Sequence, residues 1–299
     1  IVVSKGVILA AGGFSANAEM RKAYLPYPDQ HVSILPYENT GDGIKEAIAS
    51  GAAMGAENHA NAVWAVVSKR TRMDGYVERY AHLIDMSKPG CIAVNKTGQR
   101  FGNEASVHFV EAMHASGAVP AHIIANRKFV KKYGMGLALP GGGKIKELVT
   151  SGYMKTGKTL AELAAQIGVD QAGLEATVTK VNEDAASGND SQFGKGATLI
   201  DQEIGDPKHT PNPCFGPVGE GPYYAVEIFP GDGSTTVGVK IDSECRVKGE
   251  DDQPIAGLWA AGLDANSIWQ GKSPAHGCNV GPAMVTGFIA GRSIAGVNS

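Results

Sequence analysis

The segment spanning residues 257–296, GLWAAGLDANSIWQGKSPAHGCNVGPAMVTGFIAGRSIAG, constrains the fold of this chain most. A short apolar strand at residues 258–261 runs into Gly262. A loop rich in Gly, Ser, Asn and Pro follows, with Asn266 near its start. At Gly281-Pro282 an apolar helix is expected to open, continuing through Ala283 and Met284. Proline suits the first helical position, where no donor is needed. The free N–H groups of that first turn, with their partial positive charge, suit an anion or an electron-rich ring edge. A strand, a glycine-lined loop and a helix in this order point to an α/β protein that holds a nucleotide or a flavin.

The same pattern occurs near the start. Residues 5–11, KGVILAA, are expected to form a buried parallel strand. It ends in Ala11, Gly12, Gly13 and Phe14, followed by Ser15 and Asn17. Thr40, Gly41, Asp42 and Gly43 then open a helix expected to run to residue 52. Two such turns at opposite ends of one chain, with an unlike middle, suggest one cofactor domain split in sequence. The length of 299 residues, 43% hydrophobic and 19% charged, leaves room for two domains. The 40 glycines fit close backbone approach to a cofactor, or simply many turns. A net charge of −3 without a basic run argues against a nucleic-acid partner. Cys91, Cys214, Cys245 and Cys278 show neither a CxxC pair nor metal spacing. They are expected to be free thiols of a cytoplasmic protein without a metal. No apolar run reaches the roughly 18 residues of a membrane span.

Three blocks follow: residues 1–60 and 221–299 as two parts of a split cofactor-binding α/β domain, and 61–220 as an inserted α+β substrate (capping) domain. Within the insert, residues 92–94 and 123–124 are expected strands and 105–116 a helix. Residues 134–143 form a glycine-rich loop. Thr159 and Glu162 form a capping box, in which the threonine accepts a backbone N–H and the glutamate reaches back to the Thr159 N–H. Asp170 caps the next helix, with Leu174, Val178 and Val181 on its apolar face. Five prolines between 206 and 222 exclude a helix there. Residues 223–229 resume as a strand, and Asp232 is expected in a turn. His59, His82, His114 and His122 show no metal spacing.

Several short stretches now fall into a recognisable order: Ala10-Ala11-Gly12-Gly13-Phe14, Thr40-Gly41-Asp42-Gly43, Arg100-Phe101-Gly102-Asn103-Glu104, Pro230-Gly231-Asp232 and Gly281-Pro282-Ala283-Met284. Together with the helical stretch 159–188, this resembles the fumarate reductase/3-ketosteroid dehydrogenase flavoproteins, nearer the ketosteroid dehydrogenase branch. The resemblance implies FAD, held by Ala11, Gly12, Gly13, Phe14, Asn17, Gly41, Asp42, Gly43, Gly262, Asn266, Gly281, Pro282, Ala283 and Met284. Such proteins also carry a Gly-x-Gly-x-x-Gly turn for the FAD pyrophosphate, and this sequence has none. The chain is therefore expected to be the C-terminal part of a longer enzyme, binding FAD weakly by itself.

The resemblance implies dehydrogenation, or reduction, of a C–C bond beside a carbonyl. One carbon loses a proton and its neighbour a hydride, while donors stabilise the enolate oxygen. His108 stands where that branch has a tyrosine base. Ser273 stands where it has a tyrosine donor, and Gly277 matches its glycine donor. His276 is an additional titratable group. His108 and His276 are expected at one interdomain cleft beside Gly277. The partners implied are a small keto or enoate substrate and an unidentified electron acceptor. A fumarate reductase-like enoate reductase is the nearer alternative. However, His276-Gly277-Cys278-Asn279 is followed by Val280, where that branch has a catalytic arginine. The other alternative is a flavin-free fragment that only binds ligand.

Overall fold

The computed structural model describes residues 2–55, 58–274 and 277–297. The chain divides into two compact units, one of residues 1–64 and 232–299, the other of residues 65–231. The second boundary falls at 231/232 rather than 220, inside the strand that runs from Tyr223 to Thr235.

Along the chain, β1 (Val7–Leu9) precedes α1 (Ala18–Tyr24), β2 (Val32–Ser33) and α2 (Asp42–Ala49). Then come β3 (Ala62–Thr71), β4 (Val77–Ala81), β5 (Cys91–Val94), α3 (Phe109–Ala115), β6 (Ala121–Asn126), α4 (Arg127–Tyr133) and α5 (Ile145–Thr150). They are followed by β7 (Met154–Gly157), α6 (Leu160–Ile167), α7 (Gln171–Ala185), α8 (Leu199–Glu203) and β8 (Tyr223–Thr235). The chain closes with β9 (Arg246–Lys248), β10 (Pro254–Ala260) and α9 (Val280–Ala295).

In the first unit, three strands lie in the order β1-β10-β9. β1 pairs parallel to β10, with Val7 opposite Leu258 and Leu9 opposite Ala260, so the two ends of the sequence share one sheet. The expected burial of β1 does not hold. It pairs with β10 alone, and Val7 and Ile8 are exposed. An apolar run does not distinguish an edge strand from a central one. Phe14, Ile44, Ala47, Val237, Val239, Val247 and Ala260 form the core.

The second unit is built on an antiparallel sheet in the order β4-β3-β8-β6-β5, with β7 also against β8. Ile92, Val94, Ile124 and Ala225 of the sheet meet Leu163 of α6 and Leu174, Val178 and Val181 of α7. Both helix starts use the expected caps: Thr159 Oγ1 accepts from Glu162 N–H at 3.2 Å, and Asp170 Oδ1 from Gly173 N–H at 2.7 Å. The capping box is displaced by one residue, since Glu162 accepts from Lys158 N–H at 2.7 Å rather than from Thr159.

Two buried polar networks brace this unit. Arg100 makes paired bonds of 2.8 Å to both Glu104 and Asp190, and Lys195 Nζ lies 3.6 Å from Glu104. Burial alone would raise the Glu104 carboxyl, but Arg100 and Lys195 beside it hold it below the ordinary carboxylate range. In the other network, His82 Nδ1 lies 2.8 Å from Asp85 Oδ2, and His82 Nε2 lies 2.8 Å from Ser68 Oγ. Ser68 Oγ meets the Tyr153 hydroxyl at 2.7 Å. The network also takes in the glycine-rich loop, because Gly136 N–H donates to Asp85 and Leu137 N–H to the Tyr153 oxygen. Burial pushes the Tyr153 phenol up to about 12. Ser68, His82 and Asp85 have the order of a hydrolytic triad, but Ser68 is 0% exposed and offers a substrate no access. Among the described residues no helix is long and apolar enough to cross a membrane.

Candidate functional site

The glycine turns expected to hold a cofactor are drawn together by Asp264, a residue the sequence reading passed over. Its buried carboxylate accepts N–H bonds from Ala11 at 2.5 Å and Gly13 at 2.9 Å. A Cβ on Gly43, in the first turn of α2, would collide with the same carboxylate. Gly41 N–H donates to Gly13 O at 3.0 Å, and Asn39 Nδ2 to Gly12 O at 2.8 Å. Residues 11–13 and 41–43 are thus fastened around an internal anion, which occupies the Ala11 and Gly13 donors. Phe14 is fully buried in the core, and Asn17 caps α1 by accepting from Met20 N–H. Asp42 is exposed and bonded by Thr40 and Lys45. No local pattern announces Asp264, since its partner Gly13 lies 251 residues away.

Asp232 is not in a turn. It lies inside β8, fully buried, with Arg21 Nη1 2.9 Å from its carboxylate. Three residues on, Thr235 Oγ1 is buried without a hydrogen-bond partner among the described residues, as is Ser15 Oγ. A Cβ at Gly13 would strike Thr235 Oγ1.

Beyond Asp264 the backbone becomes a platform. Asn266 Oδ1 accepts from Asn58 at 3.1 Å, and Ser267 N–H donates to Thr236 O at 2.8 Å. The Trp269 indole N–H closes the loop on Cys278 O at 3.1 Å. Asn279 Nδ2 donates to Ser234 Oγ at 2.9 Å. α9 then begins at Val280, so Pro282 is its third residue and not its first. This position is also among those whose N–H has no partner inside the helix. Gly262 N–H donates to Thr286 Oγ1 of α9, and Ala283 lies against Gly262. Ser273 is half-buried, and Met284 is exposed at 71%. His276 lies outside the described residues.

Two glycines here border open space. Among the described residues, a Cβ on Gly277 or on Gly281 would meet nothing within 4 Å; φ +84° favours glycine at 277 in any case, whereas Gly281 has no such backbone demand. The fit to a flavin rests on these features. Open backbone at 277–281 admits close approach, the α9 N-terminus favours negative charge, and Ser15 and Thr235 have hydroxyls to spare.

In the other unit, the helix expected from residue 105 begins at Phe109, and His108 is its N-cap residue. The preceding stretch is held in turns: Ala105 N–H donates to Asn103 Oδ1, and His108 N–H to Ser106 Oγ. The His108 side chain is 67% exposed, with Nδ1 2.6 Å from Glu111 Oε2. Glu111, one helical turn on, is a partner the sequence reading missed.

The chain belongs to the FAD binding domain family, which it matches over residues 1–280. FAD is the cofactor of that family. Among the curated relatives, the chain is 40% identical to 4-oxocyclohex-2-ene-1-carboxylate 5-dehydrogenase of Sinomonas cyclohexanicum, over 97% of this chain and 50% of that protein. It is 33% identical to 4-oxocyclohexanecarboxylate 2-dehydrogenase of the same organism, over 99% of this chain and 52% of that one. Among solved structures, it is similar to 3-ketosteroid Δ1-dehydrogenase from Sterolibacterium denitrificans in complex with 1,4-androstadiene-3,17-dione. The TM-score there is 0.86 at 38% identity, covering 98% of this chain and 54% of the other. The chain thus spans about half the length of the relatives it matches.

Proposed function

We propose that the chain works in an FAD-dependent dehydrogenase that removes hydrogen across a C–C bond next to a ring ketone, or adds it in reverse. The unit of residues 1–64 and 232–299 serves the flavin, and residues 65–231 serve the substrate. The observation that carries this reading is the open backbone at Gly277, on a loop otherwise fastened to its own unit, and at Gly281 in the first turn of α9. Relatives acting on ring ketones support it.

FAD, when bound, supplies the two-electron acceptor. The chain's own residues do the rest. The Gly277 N–H and the Ser273 hydroxyl hold the ketone oxygen as it gains negative charge. His108 takes the proton from the adjoining carbon. Glu111 accepts from Nδ1–H and leaves Nε2 as the basic nitrogen, so one carboxylate sets both tautomer and orientation. His276, next to Gly277 in sequence, assists at the ketone. Val280 puts an exposed apolar side chain where an enoate reductase of the fumarate type would need an arginine, which favours the ketone reading.

Replacing a general base typically costs about 10²–10⁴ in rate. His108→Ala in the FAD-supplied enzyme is expected to lose turnover by that order with unchanged FAD affinity. Glu111→Gln is expected to lose less and to move the pH profile. Full turnover by His108→Ala would remove this histidine as the base. Failure of the wild-type chain to take up FAD under any condition would favour the flavin-free alternative.

A further inference from the structure

The platform that offers Ser273 and Gly277 also carries a charge the proposed reaction does not use. Between Asp264 and Arg292, Lys272 is the sole Asp, Glu, Lys or Arg of the chain. It is exposed, and its ammonium has no ion pair or hydrogen bond among the described residues. Its backbone is fixed. Gly271 before it leaves no room for a Cβ against Ala60, His59 N–H donates to Gln270 O at 2.8 Å, and Lys272 N–H donates to Trp269 O at 3.1 Å. A lysine held on a braced turn, among residues that are neutral in sequence, makes a local positive field with no ion-pair partner among the described residues.

Resting on the ketone reading above, we propose that Lys272 determines substrate class: it binds a carboxylate on the ring ketone whose carbonyl meets Ser273 and Gly277. The α-carbons of Lys272 and Ser273 are about 3.8 Å apart, as in any trans peptide. The lysine's four-carbon stem carries its ammonium well beyond the serine hydroxyl's reach. One short stretch of backbone therefore carries both a hydroxyl for a ketone and a cation for an acid. A neutral polycyclic ketone would gain nothing from that cation.

The test uses the whole chain supplied with FAD, and calorimetric binding of two probes: 4-oxocyclohexane-1-carboxylate and its methyl ester. Wild type is expected to bind the acid more tightly than the ester, with an affinity that falls as salt rises. Lys272→Met is expected to lose about ten- to a hundred-fold for the acid and nothing for the ester. Lys272→Arg should keep most of the acid affinity, and FAD affinity should be equal in all three. Equal binding of acid and ester by wild type, or an acid affinity unmoved in Lys272→Met, would overturn the assignment and leave the ketone reading standing. Loss of FAD affinity in Lys272→Met without selective loss of the acid would place the lysine at the cofactor and overturn it too. If wild type takes up FAD but neither probe, the ketone reading falls and this assignment with it.

Discussion

The polar interior of residues 65–231 and the loop at 262–281 treat their hydrogen-bonding groups in opposite ways. In the former, Arg100, Glu104, Asp190 and Lys195 close on one another, as do Ser68, His82, Asp85 and Tyr153. Within the second network, Gly136, with φ +58°, makes room for protein: an added Cβ would strike the Tyr153 hydroxyl. In the loop and the first turn of α9, Gly277 and Gly281 face open space and Lys272 has no counter-ion among the described residues. A closed network uses its polar atoms to hold the fold, whereas groups left open by an otherwise braced backbone are available to a ligand. Titratable residues alone would mislead here. The most triad-like cluster of the chain is a buried brace, and the candidate base His108 is exposed.

The largest expected effect comes from opening the tightest network. Arg100→Met would leave the Glu104 and Asp190 carboxylates buried without their cation. It should cost about 3–5 kcal/mol of stability, read by urea unfolding. A loss well under 1 kcal/mol would show that the cluster does not brace the unit.

How far this contrast could be read from the sequence depends on range. The Thr159 and Asp170 caps, and the apolar face at Leu174, Val178 and Val181, were legible because each is set within a few residues. The glycine-rich segments were legible too, and the parallel pairing of β1 with β10 matches the strand pattern at both ends. Asp264 and the Ser68–Tyr153 link were not, since sequence separations of 251 and 85 leave no periodic trace. His108 fell outside its expected helix because Asn103 and Ser106 hold residues 103–108 in turns that no apolar periodicity reports. β1 read as buried because an apolar run looks the same at a sheet edge.

A smaller effect is expected at Asp85. Burial would raise its carboxyl, but His82 beside it and N–H donation from Gly136 and Met86 outweigh that and hold it below the ordinary range. A carboxyl with a depressed folded-state pKa contributes stability above its unfolded pKa, about 4, and loses it as pH falls through the folded value. Asp85→Asn should therefore cost about 1–3 kcal/mol at neutral pH, and its stability should fall less steeply than wild type in acid. Parallel acid-unfolding curves for the two proteins would contradict this. Asp264→Asn should likewise cost about 1–3 kcal/mol, since an amide cannot accept from both Ala11 and Gly13 as a carboxylate does. Thermal or urea unfolding would read it.

The smallest change in stability tests the contrast most directly. Gly281 is the second residue of α9 and faces open space, so alanine there should stabilise the chain, by about 0.5–1 kcal/mol at most. If the 277–281 backbone is open in order to receive FAD, the same methyl group should obstruct it. Titration of wild type and Gly281→Ala with FAD, beside urea unfolding of both, should show a protein at least as stable as wild type with markedly weaker FAD binding. Equal FAD affinity in the two would contradict the assignment of this loop to the flavin.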